Sequence, residues 1–425
     1  MSGDPRSPGG AAVTARTMPT RSAWHIGVGA VGASWLLTAV VVTLLGMLTP
    51  VDPWLPVHLL LLGAVSNAIL VWSTYFTEAL LRQPRAGRRL AEAVRLGAFN
   101  LGAVAVVLGM SVEVHALVVL GASLAIVAVG WHAVVLLRRI RRSLPSRFGA
   151  TVHYYVAGST LLLLGICLGV VLATYDLDDD THARIALAHV TLNVLGWLGL
   201  TVLGTLVTLW PTMLHTQVVD GAERASRRAL PVLVSAIVAT AALALVGNQV
   251  LTALGLSCYL AGLVVAGRPL VEEAIHRRPS TYATWSVCVG VTWYAVTLVV
   301  LTAVVAVAPG WSAAAEVADR LAAPLLVGFG AQVLLGALSY LVPVVLGGGP
   351  AMSRRTIAIL DTGARARLAV INVGVLAVVV PLPAVLREVL SVSALAALAS
   401  FLPLVLRAVF VRREQDRART AEVLS

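Results

Sequence analysis

With 425 residues, of which 59% are hydrophobic and only 12% charged, and a mean hydropathy of +0.90, the chain is too apolar for an ordinary soluble protein. Its net charge of +11 comes from 31 arginines and no lysine. Because these arginines stand in short groups beside apolar runs, they indicate a lipid bilayer with anionic headgroups, and not a nucleic acid, as the partner.

Apolar segments alternate with short loops along the chain, and a helix needs about 20 apolar residues to cross the hydrocarbon core. Backbone groups without partners are unfavourable in lipid and the segments lack strand-like alternation, so each is predicted to be a helix. The segments are Trp24–Leu48, Trp54–Leu80, Leu96–Val112, His115–Leu137, Phe148–Ala173, Ile185–Leu214, Leu230–Val246, Val250–Gly267, Thr281–Ala308, Leu321–Leu346, Leu368–Leu386 and Ser391–Val411. The predicted fold class is all-α, a polytopic bundle of about twelve transmembrane helices over residues 24–411.

Two places in this bundle are less regular. The seventh and eighth segments are short and joined closely at Gly247-Asn248, so one of them is expected to be tilted or partly re-entrant. Pro381 and Pro383 are expected to shorten or kink the eleventh segment.

The distribution of arginine predicts the orientation of the chain. The two tails and every second loop hold 28 of the 31 arginines, whereas the intervening loops hold three arginines and nine carboxylates, including the cluster Asp176–Asp180. Cationic loops resist translocation, so both termini are predicted to be cytoplasmic in a plasma-membrane protein. Residues 1–23, rich in Gly, Pro, Ser and Arg, are predicted to be a disordered cytoplasmic tail, and residues 412–425 are predicted to be the C-terminal cytoplasmic tail.

The three cysteines do not suggest a cofactor site. Cys167, Cys258 and Cys288 all lie inside apolar segments, and no CxxC or CxxCH motif occurs. A zinc ribbon, a thioredoxin motif and covalent c-type haem attachment are therefore not expected. Each cysteine is interpreted as a small buried apolar residue.

Three histidines inside the predicted helices share a depth. His58 begins the second segment, His115 begins the fourth, and His189 lies one turn inside the sixth. All three segments are predicted to start at the outer face, and His182, in the loop before the sixth, lies near that face too. Imidazole is the commonest side-chain ligand of haem iron and copper, so these rings are candidate ligands. The alternative is that they contact only headgroups and water.

The sixth segment carries one stripe of polar and small residues at three- to four-residue steps. The stripe consists of His189, Asn193, Trp197, Thr201, Thr205 and Thr208, with Gly196, Gly199 and Gly204 on or beside it. Such a stripe is either a seam for packing a neighbouring helix or a surface that accepts a flat macrocycle, and the two interpretations are compatible.

The tenth segment has a similar stripe, and Gln332 lies about halfway across it, where an amide needs a hydrogen-bond partner. The second segment adds Ser66 and Asn67 below His58. We expect segments two, six and ten to face one another around an internal site. Asn193 and Gln332 then either orient cofactor ligands or form hydrogen bonds between helices.

These features resemble a known class of membrane proteins. Twelve helices with cytoplasmic termini, and histidines at the outer ends of segments two and six, resemble subunit I of the haem-copper oxidases and nitric oxide reductases. The sixth segment is also similar to NnrS-type haem- and copper-binding membrane proteins, and to actinobacterial membrane proteins often described as copper oxidases. The motifs are His58-Leu-Leu-Leu-Leu-Gly63-Ala-Val-Ser-Asn67, His189-x-x-Leu192-x-x-x-Gly196-Trp197-x-Gly199-Leu200 with Trp210-Pro211, and Gln332-Val-Leu-Leu-Gly336-Ala-Leu-Ser-Tyr340-Leu-Val-Pro343.

The resemblance implies haem or copper as the cofactor, with His58 matching a haem ligand and His189 a copper ligand. It is incomplete, because helix seven of the oxidases supplies two more copper ligands and helix ten two haem ligands. Here Leu230–Val246 and Leu321–Leu346 contain no histidine, and the latter offers Gln332. The sequence also ends without the cupredoxin domain that some of the similar proteins carry. The resemblance therefore implies a relative without a full oxygen-reducing centre.

We predict a haem- or copper-binding protein that serves respiratory electron transfer, copper handling or the response to nitric oxide. Its expected ligands are His58 and His189, with His115 as a third, and its expected partner is a redox or metal-donor protein. One alternative is a permease or exporter of a small uncharged molecule, and another is a scaffold in which the histidines only pack. No carboxylate or arginine falls near the middle of a predicted segment, which argues against an ion-coupled carrier.

Overall fold

The computed structural model describes residues 21–83, 89–144, 146 and 148–424, and side chains within 24–418; all regular elements in this part of the chain are helices. They are α1 (Arg21–Leu45), α2 (Trp54–Leu80), α3 (Arg89–Ser111), α4 (His115–Arg142), α5 (Gly149–Thr174), α6 (Asp179–Leu214), α7 (Ala222–Val246), α8 (Gln249–His276), α9 (Tyr282–Val307), α10 (Trp311–Arg320), α11 (Pro324–Leu346), α12 (Gly349–Leu360), α13 (Ala364–Val379), α14 (Ala384–Ala399) and α15 (Phe401–Leu424).

The prediction of an all-helical membrane protein is confirmed. Eleven helices in the described residues are long and apolar enough to cross a bilayer, with α14 and α15 together providing one of them, Ala384–Ala418. The pair α12 and α13, bent by 41° at a short break, passes the same test when taken together and makes a twelfth. The protein is therefore a polytopic helical membrane protein with eleven or twelve spans.

The seventh and eighth segments are longer than predicted. Helices α7 and α8 contain 25 and 28 residues, because each continues beyond its apolar stretch into the neighbouring charged loop. Each is therefore long enough to span the bilayer, and the expected tilted or re-entrant segment is not needed. Two residues explain the short turn between α7 and α8. Gly247 ends α7 with φ of +86°, and the side chain of Asn248 caps the start of α8.

The eleventh segment is interrupted as expected. Helix α13 ends at Val379, and α14 begins at Ala384, so Pro381 and Pro383 lie in the break between them. Proline has no N–H to donate and therefore cannot continue a helix of this kind. The predicted helix over Leu368–Leu386 is therefore interrupted: α13 covers its first part and α14 begins within its last residues.

Only part of the two predicted tails lies within the described residues. Residues 1–20, most of the predicted N-terminal tail, lie outside the described residues, and α1 begins at Arg21. Residues 412–424, predicted as a cytoplasmic tail, continue α15 as a helix.

Three spans form the centre of the bundle. The buried share of the most apolar window is 72% in α6, 61% in α11 and 50% in α2, and at most 39% in the other spans. These are the predicted segments six, ten and two. Each also contains a π-helical stretch: Leu59–Val65 in α2, Thr191–Gly199 in α6 and Pro324–Ala331 in α11. Single-turn π-helices often occur at functional sites.

The three central spans converge on a cavity of about 90 Å³. Its walls are almost entirely apolar and include Trp72 and Phe76 from α2, Thr201 and Leu209 from α6, and Val333 and Leu341 from α11. The π-helical stretches also approach one another, because a β-carbon on Gly330 would lie 3.6 Å from the side chain of Leu61 and 3.7 Å from that of Leu198. The expected convergence of segments two, six and ten is thus present in the structure.

Candidate functional site

The structure brings two of the predicted ligands, His58 and His189, together. Their ring centres are 6.3 Å apart and the ring planes are tilted by 32°. His58 is in α2 and His189 in α6, and both side chains are partly buried. Two imidazoles from different helices therefore lie next to one another.

Hydrogen bonds fix the orientation of both rings. Nδ1 of His58 lies 2.8 Å from the carbonyl oxygen of Trp54, and Nδ1 of His189 lies 2.8 Å from that of Gly165. A carbonyl can only accept, so each neutral ring carries its proton on Nδ1 and keeps its lone pair on Nε2. Metal-binding histidines generally show this arrangement, in which an outer hydrogen bond orients the ring and Nε2 points to the metal.

The His189 ring rests against two glycines of α5. A β-carbon on Gly169 would lie 2.8 Å from Cε1 of His189, and one on Gly165 would lie 2.1 Å from Oδ1 of Asn193. No real β-carbon makes contacts this short, so only glycine allows α5 to approach α6 here. The two glycines are one turn apart on the same face and form a cradle for the His189 and Asn193 side chains.

Asn193 lies one helical turn after His189 in α6 and packs against the His189 ring. Its amide nitrogen lies 3.2 Å from Nδ1 and 3.1 Å from Nε2 of His189. An atom almost equidistant from both ring nitrogens cannot lie along the lone pair of either, so this contact holds the ring without a directed hydrogen bond. Asn193 is therefore placed to position His189, while its own Oδ1 is buried with no partner among the described residues.

The π-helical stretches begin next to the two histidines. His58 immediately precedes Leu59–Val65, and His189 stands two residues before Thr191–Gly199. A wider turn changes the direction of every side chain that follows it relative to the histidine. The indole Nε1 of Trp197, within the second stretch, donates at 3.0 Å to Oγ of Ser66, the residue that follows the first stretch, and this bond joins α6 to α2.

The spacing of the two rings fits one shared metal ion. Two metal–nitrogen bonds of about 2 Å each, with about 1 Å from each nitrogen to its ring centre, place the ring centres about 6 Å apart when the ligands lie on opposite sides of the ion. The observed 6.3 Å agrees with that arrangement. The donor set is also suitable, because neutral imidazole binds haem iron and copper.

His115 does not join this pair. It is exposed at the first residue of α4, and His182 is exposed near the start of α6. In the part of the chain that the structure describes, no group of three or more His, Cys, Asp or Glu residues could hold a metal ion. The arrangement thus supplies two histidines and no third ligand of these types.

Gln332 is engaged in a hydrogen-bond pair between helices. Its Nε2 donates to Oδ1 of Asn372 at 3.1 Å, and Nδ2 of Asn372 donates to Oε1 of Gln332 at 3.1 Å. The Trp293 indole also donates to Asn372, at 2.7 Å. Of the two roles considered for Gln332, these contacts favour bonding between helices over orienting a ligand. Gln332 itself is fully buried.

A second chain of side-chain hydrogen bonds, similar to that of Gln332, links α1, α3 and α2. The Trp35 indole donates to Oδ1 of Asn100 at 2.7 Å, and Nδ2 of Asn100 donates to Oδ1 of Asn67 at 3.0 Å. Each chain therefore runs from a tryptophan through an asparagine to an amide on a central span. The sequence analysis did not identify either asparagine, because single polar residues in apolar segments give no indication of their partners.

The glycines of the sixth segment serve as packing contacts. A β-carbon on Gly196 would lie 2.9 Å from the side chain of Leu161, one on Gly204 would lie 2.6 Å from that of Tyr154, and one on Gly199 would lie 2.4 Å from the hydroxyl of Tyr294. The space beside these glycines is thus already filled by neighbouring helices. The packing interpretation of this part of the stripe fits the structure better than the macrocycle interpretation.

The sequence analysis missed the cradle glycines and the burial of Arg95. Gly158, Gly165 and Gly169 are spaced by seven and four residues, which places them on one helical face and could have indicated a close approach to α6. Arg95 was assigned to a cytoplasmic loop, but α3 starts at Arg89 and buries Arg95 two turns along the helix, with 3% of its surface exposed.

The comparisons with known proteins add no assignment to this geometry: no protein-family model matches the chain, and no curated protein matches it.

Proposed function

We propose that His58 and His189 bind one metal centre, either haem iron or a copper ion, close to one face of the membrane. The observation that carries this proposal is the pair of imidazoles at a separation of 6.3 Å, each oriented through Nδ1 so that Nε2 is left for a metal.

A haem or copper ion in this position would supply one-electron redox chemistry. The residues of the chain would hold and orient it: His58 and His189 as ligands, the Gly165 carbonyl and Asn193 as groups that fix the His189 ring. We place the protein in the plasma membrane, with a redox or metal-donor protein as partner. The resemblance to the haem-copper oxidase class supports this proposal, whereas the missing histidines in segments seven and ten do not favour a full oxygen-reducing centre.

Purification from cells supplied with iron and copper, followed by optical spectra and metal analysis, tests the proposal. The wild-type protein should contain about one metal centre per chain, and His58→Ala and His189→Ala should each lose it. His115→Ala is the matched control, since His115 is an exposed histidine at the end of a helix, and it should keep the wild-type content. Sub-stoichiometric metal and featureless spectra in the wild type would reject the proposal.

Passage of a small apolar molecule is a second candidate function, and the central cavity favours it. That cavity of about 90 Å³ is apolar and lies between the three most buried spans, as the pathway of a permease would. Substituting Ala337 by Trp should fill it. Loss of uptake or export with unchanged metal content would support this function, whereas unchanged flux of every solute tested would contradict it.

A further inference from the structure

A second cavity of about 90 Å³ lies between α1, α3, α4 and the half of α2 that follows its π-helical stretch, at an end of the bundle that carries arginines. In contrast to the central cavity, its lining contains many charged side chains. It includes Thr74 and Glu78 from α2, Arg89, Glu92 and Arg95 from α3, and Arg139 from α4. A single water needs roughly 10–15 Å³ of such space, so the cavity has room for a group of several heavy atoms.

Arg95 is the most buried charge in this lining. Its side chain is 3% exposed, and its Nη2 donates to Oγ1 of Thr74 at 3.2 Å. Its Nε is buried and has no hydrogen-bond partner among the described residues. The Glu92 carboxylate on the same helix attracts the Arg95 charge, but a guanidinium has five N–H donors, and the hydrogen bond to Thr74 engages only one of them. Burying the remaining donors is unfavourable unless a further acceptor is present.

Arg139 lines the same cavity, and only part of its guanidinium is hydrogen-bonded. Its Nη2 donates to Oε1 of Glu78 at 2.8 Å, and both side chains are mostly buried. Its Nε, like that of Arg95, has no partner within the described part of the chain. The ion pair with Glu78 thus satisfies only part of this guanidinium.

The charge of the lining favours an anion. Three arginines and two glutamates line the cavity in the described residues, which leaves one positive charge in excess. Planar guanidinium groups match the oxygens of carboxylate and phosphate in pairs, and arginine is preferred for that reason wherever such groups are recognised. Basic cavities between membrane helices are a known mode of binding for anionic headgroups.

We propose that this cavity binds an oxyanion, a phosphate or carboxylate group, with Arg95 as the principal donor and Arg139 as the second. Thr74 positions Arg95, and Glu78 positions Arg139. The group belongs either to a small soluble anion or to an anionic lipid whose headgroup enters the cavity. This site is separate from the two histidines, and its test does not depend on whether they bind a metal.

The first experiment titrates the purified full-length protein in detergent with inorganic phosphate and with acetate at constant ionic strength, using chloride as the reference. Thermal unfolding and the fluorescence of Trp24 and Trp131, which line the cavity, report binding. The second places the protein in nanodiscs of phosphatidylcholine, or of an equimolar mixture with phosphatidylglycerol, and measures retained lipid by mass spectrometry. Phosphate or acetate binding identifies a soluble anion, and selective retention of phosphatidylglycerol identifies a headgroup.

Arg95→Gln should weaken the observed binding by about ten-fold or more, because a charge-assisted hydrogen bond is lost. Arg95→Lys keeps the charge without the planar group, so it should fold and show an intermediate affinity. Arg268→Gln is the control: it removes an exposed arginine paired with Glu272 outside the cavity, and binding should not change. Binding by Arg95→Lys and Arg95→Gln as tight as wild type, or no response of the wild type to either anion or to phosphatidylglycerol, would overturn the proposal.

Discussion

Single glycines decide how close α5 comes to the candidate ligands. A β-carbon on Gly169 would meet the His189 ring at 2.8 Å, whereas one on Gly130 in α4 would meet nothing within 4 Å. The position of the His189 ring therefore depends on a residue that has no side chain. Comparing alanine substitutions at these two glycines therefore separates an effect on the His189 site from the general effect of adding a methyl group to a helix.

Gly169→Ala should displace the His189 ring and lower metal occupancy. Crowding at a packed position typically costs about 1–3 kcal/mol, so the midpoint of thermal unfolding should also fall. Gly130→Ala is the matched control and should be neutral or stabilising by up to about 1 kcal/mol, because alanine favours the helix. Metal content and unfolding of the two variants, measured in the same detergent, check this prediction; equal behaviour of both would contradict it.

The amide pair of Gln332 and Asn372 should contribute to stability and not to the metal centre. Gln332→Leu removes two hydrogen bonds of Asn372, which keeps those to Trp293 and Leu368, whereas Asn372→Leu leaves Oε1 of Gln332 and Nε1 of Trp293 buried without these bonds. Each single variant should therefore cost about 1–3 kcal/mol. The double variant removes both polar groups and should be less unstable than the sum of the single variants. A double-mutant cycle by thermal unfolding measures this coupling, and loss of metal in the single variants at full folding would instead assign Gln332 to the site.

At the scale of single elements, the start of α6 determines where His189 lies. Asp178 caps this helix by accepting a hydrogen bond from the backbone N–H of Thr181 at 3.0 Å. Asp180 accepts from both the backbone N–H and the hydroxyl of Ser312, at 3.1 and 2.8 Å, and so joins α6 to α10. The acidic cluster that indicated an outer loop in the sequence therefore has a structural role as well.

The cap at Asp178 predicts a pH dependence. Hydrogen bonds from Thr181 lower the pKa of the Asp178 carboxyl. Its contribution to stability is then present above the ordinary pKa of an aspartate, about 4, and is lost as the pH falls through the lowered pKa. Asp178→Ala should unfold earlier than wild type at neutral pH, and the difference should fade in acid. A difference that grows on acidification would contradict this assignment.

Sequence patterns predicted the spans but not their internal irregularities. Apolar length alone was sufficient to give Trp54–Leu80 its observed bounds. The π-helical stretches could not be predicted, because no local residue pattern distinguishes Leu59–Val65 from an α-helical run. The pairing of His58 with His189 could be predicted from shared depth, since both lie near the start of segments that are predicted to run inward. The exposure of His115 could not, because depth does not determine which way a side chain faces.

Charged residues were less predictable than apolar ones. Arginine beside an apolar run indicates a collar in the headgroup region, and this rule placed Arg95 and Arg367 in loops. Instead Arg95 is buried in α3, and Arg367, 8% exposed, lies 4.0 Å from the centre of the Tyr282 ring. Both arginines are held by contacts between distant parts of the chain, which a single-segment pattern does not contain.

For the whole molecule, the number of spans and the location of the termini are linked. Twelve crossings place both termini on one side, as the arginine distribution predicts, whereas eleven place them on opposite sides. The bent pair α12 and α13 decides between these cases. Reporter fusions at each end, with a cysteine-accessibility scan of residues 349–379 as control, should show both termini in the cytoplasm. An external C-terminus would mean that the bent pair does not cross.

X-ray absorption at the edge of the bound metal tests the two-histidine centre most directly, because imidazole ligands give a distinct scattering pattern. The wild-type protein should show two imidazole nitrogens on one metal. His58→Ala and His189→Ala should each show one, or bind no metal, while His115→Ala should match the wild type. A metal without imidazole ligands, or two imidazoles retained in both histidine variants, would contradict the proposed centre.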